Sequence, residues 1–269
     1  MKKFLWLLAI LTVLVSVASC SDANLDETGE EHSVLRVGME LKYPPFETKD
    51  ASGNPEGVSV MLAEALGDYL DVEIEIVDTA YASLIPALEQ GNIDIIISSM
   101  TITPAREELV DFSIPYTNSQ LMLLAHKDSI VQSPDDLNNP EVVIASKSGT
   151  IGALWAAENA PLAKILNVEE EASAVLEVAQ GSADVFIYDP LSIIRHHENY
   201  KETTRTILEP LPNTKGWGIA MRKGETDLKN QIDAFIEEAK TDGTYETIRE
   251  AYLKEKIEEF ESYGLEFFF

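Results

Sequence analysis

The chain has 269 residues, with 47 Asp plus Glu against 20 Lys plus Arg and a formal net charge of −27. That excess of negative charge excludes nucleic acid as a partner, because a polyanion would be repelled rather than neutralised. A single cysteine, Cys20, excludes an intramolecular disulfide and a cysteine-based metal site.

The amino end reads as a secretion signal. Lys2 and Lys3 form its charged start, Phe4 to Val17 its apolar run, and Val17-Ala18-Ser19-Cys20 its cleavage site. The run is too short to span a bilayer comfortably. The small residues before the cysteine resemble a bacterial lipoprotein box, so residues 1–19 are expected to be removed and Cys20 to carry a lipid. An ordinary signal peptide that happens to contain a cysteine is the alternative. Residues 20–33 are acidic and without periodicity, the pattern of a flexible tether. No later stretch is long and apolar enough to cross a membrane. The folded part is therefore expected outside the cell membrane, held by its amino end.

From Val34 onward, short β-rich runs alternate with helical patterns. "LRVGM" (Leu35 to Met39) predicts a strand, and Val58, Met61, Leu62, Ala65 and Leu66 mark one face of a helix. "VEIEIV" alternates as a strand, "SLIPALEQG" predicts a short helix ending at Gly91, and "IDIIIS" a buried strand. This βαβαβ order predicts an α/β fold with mostly parallel sheets flanked by helices. Glu89 to Ser99 and Ala179 to Asp189 echo one another: Gln-Gly, aspartate three residues after the glycine, then a β-rich run. Two similar half-domains, or merely two similar helix-to-strand junctions, would produce the echo. "SQLMLLAHK" at Ser119 and "WGIAMRKG" at Trp217 predict two further strands, the second closing the second α/β unit, at the crossings between two lobes. The expected division is 34–122 for lobe one, 123–217 for lobe two, and 218–269 for the return to lobe one, with a ligand cleft between the lobes.

Eight residues after each echo glycine, the chain presents Ser99 and Asp189 at an expected strand end, where α/β sheets bind ligands. Near Ser99 stand Ser98, Thr101 and Arg106, the last in "TITPAREE", with Thr103 as helix cap and Pro104 in the first helical position. A planar guanidinium beside hydroxyl donors is suited to a small carboxylate; a surface arginine paired with neighbouring glutamates is the plainer alternative. Gly149 and Thr150, in "SKSGTIGALW", offer a second anion site at a helix start, with Thr150 as the cap and Lys147 adding charge. Asp189 is the natural partner for an ammonium group, although Asp-Pro is also a frequent turn starter. Asp94 and Asp184, by contrast, are expected to shape turns. "GMELKYPPFE" supplies Glu40, Tyr43 and Phe46, and Tyr81 closes the other side of a side-chain pocket. Among His32, His126, His196 and His197 there is no metal-ligand spacing, and no motif requires a cofactor.

"YPPFE", "LIPALEQGNIDIIISSMTITPAREELVDFSIPY", "SGTIGALW", "GSADVFIYD" and "WGIAMRKG" occur in the order and spacing of a known family. From Val34 to Leu253 the chain resembles the polar amino acid-binding proteins of ABC importers, bacterial extracellular solute-binding proteins of family 3. The resemblance implies a monomeric, non-enzymatic, two-lobed receptor of the type II periplasmic-binding-protein fold, which closes on one amino acid and delivers it to a membrane permease. It also implies roles. Arg106, with Ser99, Thr101 and the Thr150 helix start, grips the ligand carboxylate; Asp189 receives the ammonium; Glu40, Tyr43 and Tyr81 meet the side chain. Glu40 leans toward a cationic or amide side chain, whereas Lys147 would pair with Glu40 or favour an acidic one. Arginine, lysine, histidine, glutamine and glutamate all stay open. The rival is an enzyme on the same scaffold, a prephenate-type dehydratase or a peptidoglycan lyase, with Glu40 as its acid. The apolar tail "YGLEFFF" is expected to dock onto lobe one, with a partner contact as the alternative.

Overall fold

A computed structural model describes residues 23–25, 31–118, 120–212 and 216–269. The expected leader, Cys20 and part of the expected tether lie outside the described residues. Ala23–Leu25 (β1) pairs antiparallel with the start of Glu31–Met39 (β2), so the remainder of the 20–33 segment is partly in a strand. After the small hairpin Thr48–Lys49 (β3) and Pro55–Glu56 (β4), the chain forms Val58–Leu70 (α1) and Glu73–Asp78 (β5), which lies parallel to β2. The helix runs over the residues its sequence pattern marks. Its buried face is wider than expected: Val58, Leu62 and Leu66 are joined by Ser59, Ala63 and Gly67, while Met61 and Ala65 are only partly buried. Packing against both β5 and later helices broadens the stripe.

Leu84–Glu89 (α2) leads to Ile95–Ile96 (β6), parallel to β2, and Pro104–Glu107 (α3) leads to Val110–Phe112 (β7). The chain then crosses into a second sheet made of Met122–His126 (β8), Val143–Lys147 (β9), Lys164–Val168 (β10), Val185–Tyr188 (β11) and Thr204–Ile207 (β12). Its helices are Ile151–Asn159 (α4), Glu171–Ala179 (α5) and Pro190–Asn199 (α6). The return strand Ala220–Arg222 (β13) lies between β6 and β7 in the first sheet, antiparallel to both. It therefore closes the first unit, not the second as expected. Thr226–Ala239 (α7), Thr244–Ile248 (α8) and Lys254–Ser262 (α9) follow.

Both sheets are mixed where mostly parallel ones were expected. In the second, β9 pairs in parallel with β10 and β11, but β8 pairs antiparallel with β11 and β12. The βαβ units produce the parallel half; a strand arriving from the other lobe enters from the opposite end and pairs the other way. At the two crossings the segments run side by side. Trp217 bridges to Thr117, and the Leu211 N–H donates to the Leu121 carbonyl at 2.8 Å.

The repeated aspartates have matching structural roles. Asp94 N–H donates to the Arg36 carbonyl at 2.8 Å, while Asp94 Oδ2 accepts from Arg36 N–H at 3.0 Å. Asp184 N–H donates to the Val143 carbonyl at 2.8 Å, and its Oδ2 accepts from Val143 N–H at 2.8 Å. Each aspartate thus locks the start of its strand onto the neighbouring parallel strand. Gly91 and Gly181, with φ of 74° and 77°, make the left-handed turns that lead in.

The tail does dock. Phe269 stacks on Tyr245 with centroids 4.9 Å apart, Phe268 lies edge-on to Trp217 at 5.4 Å, and Phe267 packs against Phe260 at 4.8 Å. The Phe268 carbonyl accepts from the Thr117 hydroxyl and from Asn118 N–H, so the tail is pinned to a crossing segment.

Candidate functional site

The carboxyl ends of β2, β6 and β11 and the start of α4 converge on a cavity between the two sheets, lined by Glu40, Tyr43, Glu47, Tyr81, Ser98, Ser99, Thr101, Thr150 and Asp189, with Leu121, Ile151, Tyr188 and Trp217 as further walls. Its free interior is about 40 Å³, space for a few waters. The lobes are closed upon it. Arg106 Nη2 donates to the Gly149 carbonyl at 2.9 Å, Arg195 Nη1 to the Pro44 carbonyl at 2.8 Å, and Lys42 pairs with Glu170 at 2.6 Å, each contact joining one lobe to the other.

Asp189 ends β11 and caps α6. Its Oδ1 accepts from Ser192 N–H at 3.0 Å, and Pro190 fills the first helical position. Its Oδ2 and the Tyr43 hydroxyl are both buried and make no well-formed hydrogen bond among the described residues, yet they lie close enough for each to influence the other's proton. Burial pushes the Asp189 carboxyl up from its ordinary range, against the pull of the Ser192 N–H. One oxygen is thus spent on the helix cap, and the other is left buried at the cavity.

Arg106 is 5% exposed and stands just behind the cavity wall. Thr103 caps its helix, accepting from Arg106 N–H at 3.2 Å, as expected from the sequence. The guanidinium donates to the carbonyls of Thr101 and Gly149, and at 3.3 Å to the Tyr81 hydroxyl, contacts that point it toward the cavity wall. Gly149, at φ +75°, brings its backbone against lobe one, where a Cβ would lie 3.2 Å from the Ala82 Cα. Thr150 stands at the helix start, but its hydroxyl donates to the Lys147 carbonyl at 2.7 Å instead of capping. A hydroxyl this close to a turn carbonyl takes the local bond first.

Glu47 was missed in the sequence, although it closes the quoted "YPPFE". It is 1% exposed, and accepts from Ser59 Oγ at 2.6 Å, Ser99 Oγ at 3.0 Å and Ser98 Oγ at 3.4 Å. The two serines expected to face a ligand carboxylate are thus committed to this carboxyl. Burial lifts Glu47 to about 8 even though the serine hydroxyls pull it down, so it is protonated at neutral pH. Tyr188 and Trp217 were also missed; aromatic residues inside apolar runs look the same whether they face a core or a cavity.

Glu40 is 6% exposed and both of its carboxylate oxygens are engaged. Oε1 accepts from Tyr81 N–H at 3.2 Å, and Oε2 forms a short ion pair with Lys147 Nζ from the second lobe. Lys147 is 3% exposed, with its ammonium 5.7 Å from the Tyr81 ring centre. Of the two partners the sequence left open for Lys147, the structure has Glu40.

Comparisons with known proteins agree with this architecture. Residues 35–255 match the profile of the bacterial extracellular solute-binding proteins, family 3. The L-cystine-binding protein TcyJ of Escherichia coli is 28% identical, covering 88% of this chain and 89% of its own. The ABC transporter glutamine-binding protein GlnH of Bacillus subtilis is 30% identical, covering 95% and 98%. The crystal structure of the ancestral amino acid-binding protein AncCDT-1, a precursor of cyclohexadienyl dehydratase, superposes with a TM-score of 0.71 at 37% identity, covering 81% of this chain and 94% of that one.

Proposed function

Because the chain belongs to the bacterial extracellular solute-binding proteins of family 3, we propose that it captures one free polar amino acid between its lobes outside the cytoplasm and delivers it to the permease of an ABC importer. The observation that carries this reading is the buried Oδ2 of Asp189, an acid on the second lobe with the Tyr43 hydroxyl beside it, set across a small cavity from the Arg106 side of the first. A zwitterion requires that pairing, since each of its charges must find an opposite charge once it leaves water. Among the described residues, no helix is long and apolar enough to cross a membrane. The relatives' names, a cystine- and a glutamine-binding protein, support an amino acid as cargo.

In the mechanism, the ligand carboxylate takes Arg106 donors from the Thr101 and Gly149 carbonyls, with the backbone N–H groups of the Thr150 helix start as further donors, and Ser98 and Ser99 join only by turning away from Glu47. The ammonium docks on Asp189, while Glu40, Tyr43 and Tyr81 meet the side chain. Lobe two swings in on the paired crossings, and closure presents a surface to the permease. Cys20 anchors the protein through lipid, and the receptor acts as a monomer.

The test is a thermal-shift panel on the full chain, purified in mild detergent and freed of co-purified ligand by unfolding and refolding. A ligand that binds only the folded state raises the melting temperature. One or a few amino acids should do so, and Arg106→Ala should abolish the rise with the fold intact. The rival reading as an enzyme draws on Glu47, a buried acid with a raised pKa, and on a structural neighbour that is itself an amino acid-binding protein but a precursor of cyclohexadienyl dehydratase. Prephenate-like acids incubated with the same preparation and followed for product decide it: their turnover would overturn the receptor reading.

A further inference from the structure

The amino acid reading leaves the side-chain class open, and the buried ion pair between the lobes bears on it. We infer that Lys147, by holding Glu40, makes this a receptor for amino acids with uncharged polar side chains and turns arginine and lysine away. The inference rests on the receptor reading and narrows it.

A cationic side chain in this cavity needs an anion, and Glu40 is the acid that the pocket offers for it. Both oxygens of Glu40 are already taken, one by the Tyr81 N–H and one by Lys147. The Lys147 ammonium is enclosed: its side chain is 4% exposed and that of Glu40 7%, so neither charge is screened by solvent. A guanidinium or ammonium arriving from a ligand would therefore have to displace Lys147 from its partner. The displaced charge would then have to be solvated elsewhere, and stripping one member from a buried pair carries a large penalty.

The balance of charge around the cavity points the same way. Arg106 and Lys147 are the cations; Glu40 is the anion held by Lys147, and Asp189, raised by burial, becomes the second anion when an ammonium docks on it; Glu47, lifted to about 8, is neutral at neutral pH. Two against two is balanced. A zwitterion with an uncharged side chain keeps that balance, adding one charge of each sign. Arginine or lysine would leave a buried excess of one positive charge, and glutamate an excess of one negative charge. What remains for an uncharged side chain is hydrogen bonding. The Tyr43 hydroxyl is buried, with no well-formed hydrogen bond among the described residues and the Asp189 carboxyl near it, and both it and Glu47 line the cavity.

Titration calorimetry on the refolded full chain tests the inference with glutamine, asparagine, serine and threonine set against arginine, lysine and glutamate at pH 7. At least one uncharged ligand should bind a hundredfold or more tighter than arginine, lysine or glutamate. Lys147→Gln frees Glu40, so it should raise affinity for arginine or lysine at least tenfold, and the double variant Lys147→Gln, Glu40→Gln should lose that gain. Arginine, lysine or glutamate binding the wild type as tightly as any uncharged ligand would overturn the specificity assignment and leave the receptor standing. An unchanged cation affinity in Lys147→Gln would overturn the role of Lys147. No binding by any amino acid would overturn both readings, and the wild-type comparison decides even if the variants fail to fold.

Discussion

Asp189 and Glu47 are both buried carboxyl groups in one cavity, and their surroundings give them different tasks. Asp189 keeps one oxygen in a helix cap and leaves the other buried at the cavity. Asn is nearly as good a cap as Asp, so Asp189→Asn should leave melting of the free protein unchanged or slightly raised. With the anion gone, affinity for the amino acid should fall more than a hundredfold, the scale of breaking a buried pair; calorimetry against the wild type checks both halves. Glu47 supports a prediction in pH. Its folded-state value of about 8 lies above the ordinary 4.5, so the stability linked to its proton is complete below about pH 4.5 and is lost as pH rises to about 8. Glu47→Gln cannot ionise, and its melting temperature should therefore gain on the wild type between pH 5 and pH 8.5, by the equivalent of at most about 5 kcal/mol. A difference that stays flat with pH would refute a neutral Glu47. At this scale the sequence is legible where chemistry is rare: one arginine among hydroxyls, one aspartate before proline. Glu47 is one of many acidic residues, and only burial distinguishes it.

Among the elements, the turn between β9 and α4 carries more than its length suggests. Gly149 adopts φ +75°, its carbonyl accepts from Arg106, and its Cα hydrogen faces Ala82 of the other lobe. Gly149→Ala must bear left-handed strain of about 1–2 kcal/mol and place a methyl group against Ala82. The closed form suffers from both, the open form only from the first. Ligand affinity should drop about tenfold, and small-angle scattering with ligand present should show a more open molecule; unchanged affinity would mean that closure does not require this contact. Helix and strand positions were largely legible here, because α1, α2 and β5 follow apolar periods of 3.6 or 2. Strand partners were not. Trp217 to Gly224 forms the β-rich run expected of it, yet nothing in eight residues says which sheet it joins or that it enters antiparallel. That is decided by where the chain has already been.

For the molecule as a whole, the carboxyl terminus is part of the domain. Phe268 lies against Trp217, which lines the cavity, and its carbonyl is bonded by Thr117 and Asn118 where the chain passes between lobes. Removal of residues 265–269 should lower stability by about 2–4 kcal/mol, from the apolar area uncovered on Tyr245, Phe260 and Trp217. Calorimetric melting should fall by roughly 5–10 °C; a loss under 2 °C would show the tail to be a passenger. The two lobes share a further feature, the aspartate that locks β6 or β11 to its parallel neighbour in the same reciprocal geometry. The match gives the two lobes a common frame at these strands, with different residues at the rim. At the same offset one copy carries the hydroxyl of Ser99 and the other the carboxylate of Asp189, both facing a common gap. A twinned scaffold with unlike ends recognises a molecule by its polarity, head against tail, before it recognises anything else about it.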